Sequence, residues 1–268
     1  MRPKIILFLI LAGSLSSCMW GVPHNNAKPA ITKDTLIYTH QNFKEKAPDC
    51  GNKPDSACTM VTITYPVFSG QGILNDTITR KLCDLFGDKY MPGKGVQLLA
   101  DSLFAGYADF KMEDTVNTSP FILNENAKVL RQDSSLLTLE IDGEEYDGGA
   151  HGAEYTAFIN WNTKANKSIV LSDVLIEGYS HSLTTIAEGI FRKQEKLSET
   201  ATLANDYFFA NAKFSLPHNF VFTPLGIKFF YNDYEIKSYA AGPTELLVPY
   251  AQIPSLIKPN TVLSQYIK

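Results

Sequence analysis

The chain of 268 residues carries 44% hydrophobic, 19% charged and 12% aromatic residues, with a formal net charge of −4. Such a length buries a real core in one large domain or two small ones, and the apolar share excludes a disordered or acidic-tail protein. Gly 17 and Pro 14 exclude a fibrous repeat, and the acidic balance, with no Lys/Arg run longer than two, excludes nucleic acid as the main partner.

Residues 1–17 read as an export signal. Arg2 and Lys4 give a positive start, residues 5–12 are uniformly apolar, and small residues follow from Gly13. That apolar run is far shorter than the roughly 20 residues a membrane-spanning helix needs. Leu15-Ser16-Ser17-Cys18 resembles the lipobox of bacterial lipoproteins. The resemblance implies a lipoprotein signal peptide over 1–17 and lipidation of Cys18. Each buried CH₂ contributes about 0.8 kcal/mol, so two or three acyl chains anchor a folded domain stably. Cleavage removes Arg2 and Lys4 but no acid, taking the charge from −4 to −6. Residues 18–34, with Pro23, Asn25, Asn26 and Pro29, form a tether to the membrane. Met19, Trp20 and Gly21 include no acid, hence no Asp retention signal. In a two-membrane cell this favours the outer membrane, facing the periplasm.

Export also permits disulfides. Cys50 and Cys58 flank a polar, turn-rich loop. Closing that ring stabilises by roughly 2.5 kcal/mol in the chain-entropy account. Cys83 lies within the apolar pattern Ile78, Leu82, Leu85 and reads as a buried free thiol. No C-x-x-C spacing supports a metal site.

Residues 35–47 and 59–68 read as strands. In the second, Val61, Ile63, Tyr65 and Val67 alternate with Thr62, Thr64 and Pro66. Pro66 cannot donate to a ladder, which places it at a sheet edge or strand end. Asn75 reads as a helix N-cap; Ile78, Leu82, Leu85 and Phe86 share a face, and Gly87 ends the pattern. A second helix over 95–113 carries Leu99, Leu103, Tyr107 and Phe110. Strands follow over 121–131, 136–146, 154–162 and, after a turn at 162–167, 169–171. A third helix over 182–197 stripes Leu183, Ile186, Ile190 and Leu197. Strands at 220–223, 226–231 and 244–248 precede a short helix near 252–257. Short turns between strands and grouped helices predict an α+β fold: antiparallel sheets with grouped helices packed on one face. The division expected is a smaller N-terminal part, 35–118, and a C-terminal α+β domain, 119–268.

Two stretches resemble a known family. One is Tyr146-Asp147-Gly148-Gly149-Ala150-His151-Gly152, followed by a strand and Val170-Leu171-Ser172-Asp173-Val174-Leu175. The other runs from Leu225-Gly226-Ile227-Lys228-Phe229-Phe230-Tyr231 through Asn232-Asp233-Tyr234-Glu235-Ile236 and Tyr239-Ala240-Ala241-Gly242-Pro243 to Val248-Pro249-Tyr250. Both are similar to the extracytoplasmic domain of unknown function in RsiV-like lysozyme-sensing anti-sigma factors, which also precedes the catalytic domain of the PdaC peptidoglycan deacetylase. Residues 59–85 resemble the smaller domain that precedes it, for a coverage of about 45–260. The resemblance implies a fold and an extracytoplasmic setting. The chain has neither a sigma-binding segment with a spanning helix nor the length of a deacetylase domain, and lysozyme binding belongs to particular members.

The segment 140–154 holds Glu140, Asp142, Glu144, Glu145, Asp147, His151 and Glu154. Asp147 and His151 could act as an acid–base or metal pair, the latter with Glu144 or Glu145, and so define an envelope hydrolase. The simpler reading is a turn in which Gly148-Gly149 supply unusual backbone angles and His151 bonds to backbone. The spacing is not that of an EF-hand, and G-x-S-x-G, phosphate-loop and H-E-x-x-H motifs are absent. His24, His40, His151, His181 and His218 are widely scattered. Phe229-Phe230-Tyr231 with Tyr234 and Tyr239 suit strand packing or a face for sugar or protein. The ligand-binding candidates are Tyr146, His151, Asp233, Glu235 and Tyr239. The reading is a lipid-anchored envelope protein, with no cofactor and no metal implied, whose non-catalytic domain binds an extracytoplasmic protein or glycan. An inhibitor of host lysozyme is a third reading.

Overall fold

The computed structural model describes residues 35–88, 90–113 and 119–267. The expected signal peptide, Cys18 and the tether lie outside the described residues. A six-stranded sheet follows chain order: β1 (Tyr38–Lys46), β2 (Met60–Phe68), β3 (Ile122–Asp133), β4 (Leu136–Tyr146), β5 (Ala153–Asn162) and β6 (Lys167–Ser168). All neighbours are antiparallel except β2 and β3. That parallel step needs a crossover, supplied by the helices α1 (Gly72–Cys83) and α2 (Gln97–Glu113).

Alternation along the strands places Val61, Ile63, Leu123, Ala127, Leu139 and Ile141 on one face. They pack with Leu74, Ile78 and Leu82 of α1 and Leu99 and Leu103 of α2 into one core. A three-stranded antiparallel sheet, β7 (Phe220–Phe222), β8 (Gly226–Tyr231) and β9 (Thr244–Pro249), builds the other. Its Phe222, Ile227, Phe229, Leu246 and Val248 pack with Leu183, Ala187 and Phe191 of α4 (Tyr179–Gln194), which follows the short α3 (Leu171–Val174). The class is therefore α+β, with the helices divided between two cores.

Where expectation and structure differ, the cause is local. Asn75 lies inside α1, three residues past its start. Its side-chain amide donates to the Phe68 carbonyl at 2.9 Å and accepts from the Phe68 N–H at 2.8 Å. The asparagine binds the helix to the end of β2 instead of capping it. Pro66 lies in a strand flanked on both sides, yet the β3 pairing stops at Thr64, so the proline occurs where β2 has only β1 beside it. The strand expected at 169–171 is β6, two residues earlier, and Leu171 already begins α3. The helix near 252–257 is a pair of 3₁₀ turns, Tyr250–Gln252 and Pro254–Leu256, with Pro254 breaking the run. A boundary at 118/119 would cut the six-stranded sheet between β2 and β3.

The two sheets meet through asparagine side chains. β5 pairs with β4 along its length but with β6 only at Trp161 and Asn162, leaving most of one edge open. Asn232 closes it at Thr156, accepting from the N–H at 2.7 Å and donating to the carbonyl at 3.1 Å. Asn219 donates to the same carbonyl at 2.7 Å and accepts from the Phe158 N–H at 3.1 Å. Asn160 reaches the opposite way, donating to the Phe220 carbonyl and accepting from the Phe222 N–H, both at 2.9 Å. Side-chain amides thus carry the pairing that a ladder would otherwise supply, and Phe158, Val221 and Phe230 pack beside them.

Candidate functional site

Turn 147–152 joins β4 to β5. Gly148 takes φ +92°, and a β-carbon there would lie 2.9 Å from the Phe121 ring and 3.1 Å from Phe110. Only glycine lets the turn lie against those rings. The turn then presents His151, which is exposed, with Nδ1 2.8 Å from the Gly152 carbonyl.

The His151 ring stacks on Tyr239, with centroids 4.4 Å apart and planes 16° from parallel. Tyr234 completes the group at 6.2 Å from His151 and 5.7 Å from Tyr239. Its hydroxyl lies 3.4 Å from His151 Nε2. Tyr234 holds φ +65° in the turn after β8, and the residue is 53% exposed. The Glu235 carboxylate shapes this turn by accepting from the Asn232 N–H at 3.1 Å, and burial raises its pKa. Asp233 Oδ1 is buried without a hydrogen-bond partner. Two tyrosine rings five residues apart and a histidine from a distant turn therefore form one partly solvent-facing stack, a surface suited to a sugar face or an apolar side chain.

Of the expected residues, His151 and Tyr239 come together, while Asp233 and Glu235 belong to the turn that carries Tyr234. Tyr146 ends β4 opposite Ile122 and makes no ring contact with the stack. Asp147 and His151 share no hydrogen bond, and the dyad of the hydrolase reading is not assembled. Asp147 instead lines a cavity of about 400 Å³, together with Phe86, Asp88, Phe110, Phe121 and Glu145. Burial, with Asp147 and Asp88 nearby, pushes the Glu145 carboxyl up to about 7. Among the described residues, no group of three metal-ligating side chains converges.

Cys50 and Cys58 are unbonded thiols, both buried in one small cluster with Ala47. Their sulfurs donate to the carbonyls of Thr59 and Lys53, at 3.7 and 3.8 Å. Burial and the neighbouring Cys58 thiol push Cys50 up to about 11. Cys83 is free and buried, as its helical setting implies, and burial pushes it up to about 12.

Sequence reasoning passed over Glu125. It is 3% exposed, neither carboxylate oxygen has a partner, and burial pushes it up to about 9. The signal was present: Leu123, Glu125 and Ala127 alternate with Asn124 and Asn126, which points the glutamate inward.

The family model described as "Deacetylase PdaC" matches residues 52–154, and that of the protein of unknown function DUF3298 matches 172–251. The two meet between 154 and 172, so Tyr146–Gly152, read above with the second half, falls in the first. No curated protein matches the chain. A crystal structure of a DUF3298 family member from Bacteroides fragilis superposes with a TM-score of 0.68 at 22% identity, covering 87% of this chain and 98% of that one. A DUF3298 family protein from Pseudomonas aeruginosa gives 0.68 at 21% identity, covering 85% and 96%. The chain therefore has the fold of the solved DUF3298 proteins, with its DUF3298 match over 172–251 preceded by a PdaC match over 52–154.

Proposed function

We propose that this is a lipid-anchored cell-envelope protein whose folded part binds an extracytoplasmic protein or envelope glycan and carries out no chemistry on it. The partly exposed stack of His151, Tyr234 and Tyr239 supports the binding role. Such rings offer flat apolar area with polar edges, as interfaces and sugar sites use. The lipobox-like Leu15-Ser16-Ser17-Cys18 supports the anchor, and the residues after it favour the periplasmic face of an outer membrane. Cys18→Ala should move the protein from the membrane fraction to the soluble one; unchanged membrane association would rule out the lipid anchor. For the binding role, the 35–268 fragment is used to capture partners from envelope extracts, with lysozyme as one defined bait at low salt. His151→Ala and Tyr239→Ala should each reduce capture. Capture that ignores both substitutions would remove the ring stack as the binding surface.

A further inference from the structure

The register gathers the start of β1, the end of β2 and the β3–β4 hairpin at one end of the six-stranded sheet. Tyr38 pairs with Phe68, and the Ile37 carbonyl accepts from the Ser69 N–H at 2.9 Å. Past Ser69 the chain turns into α1, whose Asn75 is tied to the Phe68 backbone. From β3, the Gln132 amide accepts from the Leu36 N–H at 2.8 Å and donates to the Leu36 carbonyl at 3.2 Å. These bonds bring three exposed aliphatic residues to the same end. Ile37 is 77% exposed, Ile73 59%, and Leu130, the unpaired residue of the β3 bulge, 41%.

Single surface aliphatics are ordinary. Two further features set these apart. First, the two strand ends that frame them carry no charge: residues 35–43 and 56–75 contain no Asp, Glu, Lys or Arg, in a chain with 19% charged residues. Second, the chain enters the fold at this end. Thr35 directly precedes Leu36, and the lipobox cysteine, Cys18, stands 17 positions upstream. Such a length spans at most about 60 Å even when fully extended. A lipid on Cys18 therefore keeps this end within that distance of a bilayer. The ring stack lies at the opposite end, because the 11 residues of β4 run from the β3–β4 hairpin to the turn that carries His151. A strand of that length covers about 35 Å.

We propose that this end of the sheet docks on the lipid bilayer through Ile37, Ile73 and Leu130, so that the stack of His151, Tyr234 and Tyr239 faces away from the membrane. Three aliphatic residues are too few for a free-standing protein interface, which buries about 800 Å² on each partner. A bilayer makes no such demand. Apolar side chains enter its headgroup boundary singly, and a tether that already holds the surface close makes a weak contact sufficient. The absence of charge along 35–43 and 56–75 spares the contact the cost of desolvating ions. This inference rests on the lipid-anchor reading above and adds to it the face that meets the membrane and the direction in which the ring stack points.

The test places the lipidated protein in vesicles of phosphatidylethanolamine and phosphatidylglycerol. Its deuterium uptake is compared with that of a soluble chain, residues 18–268 carrying Cys18→Ser. On vesicles, peptides covering 36–38, 69–73 and 129–134 should exchange roughly threefold more slowly, and those covering 147–152 should be unchanged. Ile37→Asp with Ile73→Asp should return the slowed peptides to the soluble rate while the protein stays in the membrane fraction. Ile37→Leu with Ile73→Leu should keep the slowing. Both positions are exposed, so the soluble chain should melt at its usual midpoint with either pair. Equal uptake on and off vesicles, slowing that extends to 147–152, or slowing that survives the aspartate pair would overturn the docking face. Slowing that appears in the soluble chain as its concentration rises would assign the surface to a second copy instead. The anchor is read separately, by the membrane fractionation of Cys18→Ala. A protein that fractionates as anchored yet shows no slowing fails only here.

Discussion

A β-carbon at position 148 would meet two phenylalanine rings while the backbone holds φ +92°. Gly148→Ala therefore combines strain with overlap, and should cost about 1–3 kcal/mol in urea denaturation. Glu125 should act in the opposite direction. Its folded-state pKa, about 9, lies above the ordinary 4.5. Between those values the unfolded chain has released a proton that the folded chain keeps, so this residue lowers stability as pH rises from 4.5 toward 9. Glu125→Met should stabilise by about 1–3 kcal/mol at pH 8 and change little near pH 4.5. Paired urea titrations at the two pH values check this, and equal destabilisation at both would refute it. Glu125 was legible in the strand alternation, since its position is one where leucine or alanine stands on either side. The Tyr234 contact was not, because a residue with positive φ in Asn232-Asp233-Tyr234-Glu235 can aim its ring in several directions.

At the scale of elements, periodicity located most strands and all three long helices, because period-two and 3.6-residue patterns follow directly from burial. It missed what polar side chains do between elements. Asn75 has the residue type of an N-cap, and its role is set by the Phe68 backbone, which no helical pattern encodes. The seam between β5 and β7 is the larger case. Asn160 is 5% exposed in a strand of otherwise apolar neighbours. Sequence alone cannot say whether such an amide faces water or another strand's backbone. Asn160→Ala would leave the Phe220 carbonyl and Phe222 N–H unpaired and should cost about 2–4 kcal/mol, more than Asn126→Ala on the solvent-facing side of β3. Comparable losses from the two substitutions would show that the seam contributes little.

For the molecule as a whole, the antiparallel pairing read from short turns holds for six of the seven strand pairs among the described residues and fails at the β2–β3 step, which two consecutive helices carry. The site was legible in part: His151 and Tyr239 were singled out, but 88 positions separate them along the chain and only the fold brings their rings to 4.4 Å. The 52–154 and 172–251 matches invite a picture of two independent halves. The asparagine seam argues for coupled unfolding. In the 35–268 fragment Trp161, buried in the first core, is the sole tryptophan, so its fluorescence reports that half while circular dichroism reports both. The two transitions should coincide; an earlier dichroism step would show the halves unfolding separately. Cys50 and Cys58 add a redox prediction. Under mild oxidant the folded protein should lose two hydrogens in intact mass, with a peptide map joining residues 50 and 58, and its melting midpoint should rise.

The seam also provides a built-in gauge of motion. The Thr156, Phe158 and Phe222 N–H groups donate to side-chain oxygens rather than to a neighbouring strand. Swinging an asparagine about its χ angles frees such a proton without peeling any ladder apart. Deuterium uptake at these three amides would therefore report how often the halves separate, and a change in their exchange on ligand capture would register the event far from the ligand itself.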